Sequence, residues 1–303
     1  MSAKSNSTTV TSTKSSETGN FAAVSKWKDS LLAWICFLAS MFGIVALLTL
    51  LGYVSYDAIG WLDWQFLTSP ASRFPEEAGL YPAIVGSVMM VLLLIPITLV
   101  FGVGAAIYLA EYAPNNKFTR LVKVNIGNLA GVPSVVWGLL GLGVFIQLFN
   151  MQYGTLIAGS LTMSLLILPI VIISAQEAIE AVPDSFRQAS YGMGATKWQT
   201  IRRVVLPRAL PGIMTGTIIG LARALGETAP LIMIGVPTSV YAPPNSIFDK
   251  FTAMTMQLFA WTDYPQHEFQ YGVLAAGVVT LLVVLLTLNG VAIYIRHKYQ
   301  DRV

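Results

Sequence analysis

The sequence has little charge for its length. Only 11% of its 303 residues are Asp, Glu, Lys or Arg, whereas 55% are apolar and the mean hydropathy is +0.66. A soluble domain usually carries about a quarter charged residues. The composition therefore excludes an ordinary soluble domain and indicates an integral membrane protein.

Cysteine and histidine are also scarce. The single Cys36 excludes a disulfide framework or a cysteine metal site within one chain. His267 and His297 lie far apart in the sequence, so we expect no metal site. The net charge of +3 and the scattered basic residues argue against nucleic acid as a partner. No G-x-x-x-x-G-K-[ST] pattern occurs, so we expect no nucleotide site and no catalytic residue in this chain.

Long apolar runs dominate the rest of the sequence. A transmembrane helix needs roughly 20 mostly apolar residues. Six stretches qualify, at approximately 31–54, 83–110, 127–149, 155–176, 210–235 and 271–295. We predict an all-α integral membrane protein with six transmembrane helices in a single domain, 30–303. Residues 1–29 are rich in Ser and Thr and lack the features of a cleaved signal, so they are predicted to be a disordered tail.

Basic residues concentrate on one side of this predicted topology. Fifteen of the 18 Lys and Arg residues fall in the two termini and in the segments after the second and fourth spans. The opposite loops contain only Arg73 and Lys250. Short cytoplasmic segments carry such an excess, so both termini are predicted to be cytoplasmic.

One polar, glycine-broken segment, about 183–208, separates two long apolar runs. Pro183 suits the first turn of a helix, where a missing N–H is harmless. Gly192 and Gly194 permit the left-handed backbone that ends a helix, and the sequence TKWQ at 196–199 has capping-box spacing. We predict two short helices joined by a glycine corner, called the elbow below, on the cytoplasmic side.

Several apolar side chains on the elbow favour a protein partner, because water alone does not favour their exposure. They are Phe186, Tyr191, Met193 and Trp198. Two alternatives remain open. In the first, the elbow is a structural hairpin whose aromatic side chains pack on the spans of this chain. In the second, its basic residues only fix the membrane topology and bind anionic lipid.

The elbow resembles the EAA loop of bacterial ABC-importer permeases, whose pattern is E-A-A, three residues, G, nine residues and I-x-L-P. The corresponding residues are Gln188, Ala189, Ser190, Gly194, Leu206 and Pro207. Gln188, Ser190 and Val204 stand where the pattern has glutamate, alanine and isoleucine. In that family the loop docks on a separate ATPase subunit. The resemblance therefore implies an ATPase-coupling role for these six residues.

Other stretches are similar to the phosphate-importer permeases. They are NLAGVPSVVWGLLGL at 128–142, LARALGETAPLIMIG at 221–235 and LNGVAIYIRHKYQDR at 288–302. The sequence GETAPL at 226–231 resembles the PstA-type branch. The resemblance implies a permease of the type I ABC-importer fold in a bacterial or archaeal inner or plasma membrane.

The resemblance also implies an assembly. Its members are a PstC-like permease, two PstB-like ATPase subunits and a PstS-like phosphate-binding protein. ATP and magnesium are then expected on the ATPase, with no cofactor bound by this chain.

Two charges inside the fifth predicted span require an explanation. Each charge at a bilayer centre costs about 2.5 to 3.5 kcal/mol. Arg223 and Glu227 are one helical turn apart and can pair. A neutralised structural bridge is one explanation. The other is a translocation pathway, because a guanidinium binds phosphate oxygens two at a time.

Glycines precede this pair on the same span. Gly212, Gly216 and Gly220 form a small-xxx-small series that is predicted to pack closely against another helix. These glycines, Arg223 and Glu227 fall within an arc of about 80°, so this face is predicted to point at another helix or at the pathway. A further residue, Pro230, is predicted to interrupt the helix.

The external segment 247–261 has apolar residues at helical spacing. It is expected to lie flat at the membrane interface as a gate, or to be a plain amphipathic surface helix. For the whole chain, three alternatives to a phosphate importer remain. They are a permease for another oxyanion such as sulfate, a secondary anion transporter or channel, and a noncatalytic scaffold or signalling protein.

Overall fold

A computed structural model describes the backbone of residues 15–300 and the side chains of residues 30–298. The described chain is almost entirely helical. The helices are α1 Ser15–Asp57, α2 Trp64–Thr68, α3 Tyr81–Tyr112, α4 Lys117–Ala130, α5 Ser134–Leu148, α6 Leu156–Glu180, α7 Asp184–Gly192, α8 Lys197–Gly226, α9 Ala229–Met233, α10 Met254–Thr262 and α11 Phe269–Lys298, with a 3-10 turn at Pro75–Glu77.

Five of these helices are long and apolar enough to cross a membrane. They are α1 from Ser30 onward, α3, α6, α8 and α11. The pair α4 and α5 passes the same test together, with a bend of 105° between its two halves. The predicted all-α membrane architecture is therefore confirmed, with five candidate spans among the described residues, or six if the bent pair α4 and α5 counts as one span.

The bend corrects the third predicted span, 127–149. Gly131 ends α4, and Pro133 immediately precedes α5. Proline has no N–H to donate, so the helix is not continued through this point. The 15 residues of α5 span about 22 Å, less than the hydrocarbon thickness of about 30 Å.

The first helix begins earlier than predicted. Residues 15–29 lie within α1, whereas the sequence predicted a disordered tail as far as residue 29. No proline interrupts residues 15–57, and extending an existing helix costs far less than nucleating one. Residues 1–14 of the predicted tail lie outside the described residues. The chain up to Tyr53 and the chain from Val54 form two separate compact units.

Helix α6 is central in the unit that begins at Val54. It packs against α3, α4, α5 and α8. Leu156, Met163, Ile167, Val171 and Ala175 of this helix are completely buried. Because its neighbours cover it along its length, α6 sets the positions of the helices around it.

The glycines of α8 lie against α6. A Cβ atom added at Gly212 would come within 2.6 Å of the Ala178 Cβ, and one added at Gly216 would come within 2.1 Å of the Ser174 Cβ. At Gly220 the nearest atom would be 3.5 Å away, an ordinary contact. The shortest of these distances, at Gly216, marks the place where an added side chain on α8 would collide most severely with α6.

Residues 251–261 of the segment 247–261 are largely buried in the core, whereas residues 247–250 are exposed, so the expectation of a plain amphipathic surface helix was wrong. Phe251, Met254 and Trp261 are completely buried. A Cβ added at Gly159 of α6 would lie 2.7 Å from the Phe251 ring. Helical spacing of apolar residues indicates a helix face that is shielded from water, but it does not distinguish burial in lipid from burial against other helices.

We predict that Gly216→Ala destabilises the protein by about 1 to 3 kcal/mol, because the added methyl group forces α6 and α8 apart. Gly220→Ala is the matched control on the same face, and it should be neutral or stabilising by up to about 1 kcal/mol, since alanine is the better helix former. Thermal unfolding in detergent measures both. Equal stability of the two variants would contradict the close approach at Gly216.

Candidate functional site

Helix α8 breaks at Gly226. The next residue, Glu227, is extended, with φ −91° and ψ 133°, and Pro230 lies in the first turn of α9. Because proline lacks an N–H, it cannot donate to the Gly226 carbonyl. The predicted interruption at Pro230 is confirmed, and the predicted fifth span 210–235 consists of α8 and the short α9.

Arg223 and Glu227 form an ion pair at this break. The Arg223 Nε lies 3.4 Å from the Glu227 Oε1, and their side chains keep 37% and 23% of their surface exposed. Arg223 is in the last turn of α8, where the helix dipole favours a cation. The pair is therefore only partly enclosed by this chain, and a single contact leaves other guanidinium donors available for an anion.

A threonine missed by the sequence analysis holds the backbone of the break. The Thr255 hydroxyl of α10 donates to the Glu227 carbonyl at 3.3 Å. The Leu231 N–H donates to the Thr228 carbonyl. The Thr255 hydroxyl therefore supplies a partner to a carbonyl at the end of the broken helix. No sequence pattern relates two residues 28 positions apart.

Two of the stretches that carry the family resemblance meet beside the break. A Cβ added at Gly138 of α5 would lie 2.7 Å from the Pro230 Cα and 2.8 Å from the Met233 Cβ of α9. Only glycine permits this approach. The stretches 128–142 and 221–235 thus form one packed unit.

The elbow begins with α7 and turns at Gly194. Gly194 has φ +81°, its N–H donates to the Tyr191 carbonyl at 2.9 Å, and the Ala195 N–H donates to the Ser190 carbonyl at 3.2 Å. These two bonds form the Schellman motif that ends many helices. The predicted glycine corner is confirmed at Gly194, while Gly192 is the last residue of α7.

The predicted capping box then opens the second helix. The Thr196 hydroxyl accepts from the Gln199 N–H at 3.3 Å, and the Gln199 Oε1 accepts from the Thr196 N–H at 2.9 Å. This helix is the start of α8. A π-helical turn at Ile201–Val205 carries it forward, and it continues to Gly226.

The six elbow residues identified by resemblance differ in exposure. Gln188, Ala189 and Gly194 are exposed. Ser190 is half-buried, and its hydroxyl lies 2.8 Å from the Thr200 hydroxyl, which joins the two elbow helices. Half-buried Leu206 and Pro207 lie where α8 resumes after the π-helical turn.

The exposed surface of the elbow includes four large apolar side chains. Met193 is almost fully exposed, and Trp198, Tyr191 and Phe186 are exposed to a lesser degree. Arg208 lies 4.2 Å from the Phe186 ring centroid, which gives that ring a contact within the chain. Met193 and Trp198 remain open for a partner.

A second ion pair, also missed by the sequence analysis, lies beneath the elbow. Arg187 Nη2 is 2.8 Å from Glu111 Oε1, and the two side chains are only 14% and 6% exposed. The two residues are 76 positions apart, so no local pattern connects them.

Within the described residues, no group of three or more His, Cys, Asp or Glu side chains is arranged to hold a metal ion.

Comparison with known proteins gives consistent results. Residues 100–298 match the family model described as binding-protein-dependent transport system inner membrane component. The chain is 32% identical to the phosphate transport system permease protein PstA of Mycobacterium leprae, over 86% of this chain and 85% of that protein. It is 34% identical to the probable ABC transporter permease protein YqgI of Bacillus subtilis, over 63% of this chain and 67% of that protein.

Solved structures show the same fold at low identity. A chain from a bacterial ABC transporter involved in the import of the acidic polysaccharide alginate aligns with a TM-score of 0.61 and 14% identity. The alignment covers 90% of this chain and 98% of that one.

We predict that Gly194→Ala loosens the elbow, because a side chain in the left-handed conformation costs about 1 to 2 kcal/mol. Gly192→Ala is the matched control, since Gly192 is a helical residue with open space around its Cβ position. Hydrogen exchange of the elbow amides should accelerate by roughly 5- to 30-fold in the first variant only. Unchanged exchange in Gly194→Ala would refute the requirement for glycine.

We also predict that Thr255→Val destabilises the protein by about 1 to 3 kcal/mol, because the Glu227 carbonyl loses its donor. Thr255→Ser keeps the hydroxyl and should retain most of the stability. Thermal unfolding in detergent compares the two. If both variants lost the same stability, the methyl group of Thr255 and not its hydroxyl would be responsible.

Proposed function

The chain belongs to the family of binding-protein-dependent transport system inner membrane components, and we propose that it is the PstA-type permease subunit of an ATP-driven inorganic phosphate importer. It is a multi-pass membrane protein. The PstA protein of Mycobacterium leprae is similar to this chain over most of both chains. Its name, phosphate transport system permease protein, supports phosphate as the substrate.

One observation carries the mechanism. A single helix of 30 residues, α8, runs from the capping box of the elbow to the break beside Arg223. At 1.5 Å per residue it is about 45 Å long, so it connects the elbow directly to the break beside Arg223. A displacement imposed on the elbow is therefore carried by the same helix that holds the pathway arginine.

In this mechanism Arg223 binds the passing phosphate. A guanidinium offers several donors in a plane and pairs with two phosphate oxygens at once. Glu227 holds the guanidinium when the pathway is empty and competes with the bound anion. That competition keeps phosphate from being captured permanently.

The elbow is the part of this chain that contacts the ATPase. Met193 and Trp198 dock, with Gln188 and Ala189, into a groove of a PstB-like ATPase. Gln188 stands where the family pattern has a glutamate, so this contact is made without that charge. ATP and magnesium are bound by two such ATPase subunits, and this chain performs no covalent step and binds no cofactor.

The remaining partners follow from the family. A PstC-like permease supplies the other half of the pathway, and a PstS-like protein delivers phosphate from outside. The excess of Lys and Arg in the elbow and in both termini supports a cytoplasmic location for them. The membrane is the inner or plasma membrane of a bacterium or an archaeon.

We predict that the full assembly of the two permeases, the ATPases and the binding protein, reconstituted in liposomes, hydrolyses ATP faster with phosphate and imports it. Sulfate at the same concentration should have little effect. Stimulation by sulfate and not by phosphate would overturn the substrate assignment. Phosphate flux through the chain alone, driven by an ion gradient, would instead identify a secondary transporter.

We predict that Arg223→Gln lowers phosphate uptake by this assembly about tenfold or more, since hydrogen bonds to charged groups contribute about 1.5 to 3 kcal/mol. Arg223→Lys should be intermediate, because it keeps the charge and loses the planar donors. Arg296→Gln is the control, since this arginine of α11 bonds to Thr215, away from the break. Unchanged uptake by Arg223→Gln would remove Arg223 from the mechanism.

A further inference from the structure

The last two residues of α3 contact both halves of the elbow. Glu111 accepts hydrogen bonds from Arg187 of α7, at 3.0 Å from Nε and 2.8 Å from Nη2. The ring of Tyr112 lies beneath Lys197 of α8, whose Nζ is 4.7 Å from the ring centroid. One short segment, Glu111 and Tyr112, therefore holds the elbow on either side of its glycine corner.

The Arg187 contact also reaches the end of α6. Its guanidinium donates to the carbonyls of Ile179, at 2.9 Å, and of Val182, and to the Asp184 carboxylate at 3.1 Å. A charge pair that is shielded from water is weakened far less by solvent and salt than an exposed one. At 6% exposure, Glu111 is such a partner. This arginine thus joins the ends of α3 and α6 to α7.

Another ion pair on the same side gives a useful contrast. Lys123 of α4 and Glu180 of α6 are 2.9 Å apart, but their side chains are 34% and 48% exposed. Exposed pairs contribute little to stability, because water and salt screen the attraction between the charges. This pair does not involve the elbow.

Helix α3 leads from the elbow to the break in α8 by a second route. Ser87 of α3 accepts a hydrogen bond from the Met254 N–H at 2.9 Å, and the next residue, Thr255, donates to the Glu227 carbonyl. A Cβ added at Gly86 would lie 2.2 Å from the Thr252 carbonyl oxygen, so α3 and this segment are in close contact. The elbow and the break are therefore connected through α8 and also through α3.

We propose that Glu111 and Tyr112 are positioning residues that lock the elbow to α3, so that a movement of the elbow displaces α3 together with α8. The inference rests on the proposed function as an ATP-driven importer. Helix α8 is covalently continuous with the elbow, whereas α3 is joined to it by these polar contacts and by the apolar cluster that contains Ala106 and Val205. Release of the lock leaves the ATPase docking surface intact and removes the polar part of the link between the elbow and α3.

The first experiment tests the lock in the full chain in detergent, without any assumption about transport. The variant Glu111→Gln with Tyr112→Leu removes the ion pair and the ring. Two controls are matched to it: Tyr112→Phe keeps the ring beneath Lys197, and Lys123→Gln breaks the exposed pair on the same side. Hydrogen exchange of amides 184–200 should accelerate at least about fivefold in the double variant and remain unchanged in both controls. Unchanged exchange in the double variant would overturn the proposal.

The second experiment measures transmission in the reconstituted assembly. The quantity is the amount of phosphate imported per ATP hydrolysed, together with the amount of ATPase that copurifies. We expect the double variant to retain the ATPase and its hydrolysis, and to lose at least about fivefold in this ratio, the low end of typical coupling between sites. Both controls should keep the wild-type ratio.

Three results would overturn the proposal. They are an unchanged ratio in the double variant, an equal fall in Lys123→Gln, and loss of the ATPase from the purified double variant, since the segment would then only shape the docking surface. If the double variant does not fold, Glu111→Gln alone is compared with Tyr112→Phe by the same two measurements. A wild-type assembly without ATP-driven phosphate import contradicts the proposed function, whereas failure of the lock leaves that import intact.

Discussion

Inside a membrane, a polar group without a partner costs several kcal/mol, because no water is present to replace the missing hydrogen bond. Helix α8 nevertheless stops at Gly226, in an apolar stretch, and exposes polar backbone there. The protein meets this requirement locally: Thr255 bonds to the Glu227 carbonyl, and Glu227 pairs with Arg223. Part of the Arg223 side chain remains exposed. The break that this constraint makes costly thus leaves guanidinium donors available at the place where the proposed mechanism binds phosphate.

The second consequence of this constraint is mechanical. Polar contacts that are shielded from water hold fixed geometries, and they connect the elbow with α3, α6 and α8. Arg187 supplies the connection at the elbow, while Ser87 and Thr255 supply it near the break. Close glycine contacts such as that of Gly216 with α6 keep the helices in register between these points. In the proposed mechanism, the bundle therefore transmits a movement of the elbow through short-range contacts at its two ends and through the helices between them.

The sequence predicted the features that depend on near neighbours. The Gly194 corner, the capping box at 196–199, the pairing of Arg223 with Glu227 and the break before Pro230 all follow from residues within a few positions of one another. Long-range features were out of reach. Hydropathy is the same whether an apolar run is straight or bent, so the bend before Pro133 was missed. The burial of most of 251–261 and the partners of Glu111 and Thr255 depend on which helices meet, and one sequence contains no direct signal for that.

The contact of Gly138 with Pro230 and Met233 has a consequence for how the pathway opens. At Gly138 there is no space for even a Cβ atom between α5 and α9. The two helices therefore cannot slide past each other, and they move together as one rigid block. Such a block swings only about the non-helical joints that bound it, and hinges are commonly found at the ends of helices. Here the joints are residues 131–133, before α5, and 227–228, before α9. Glu227 lies at one of these joints and Arg223 lies one helical turn before it, so in the proposed mechanism a turn of the block changes the contact between the two side chains.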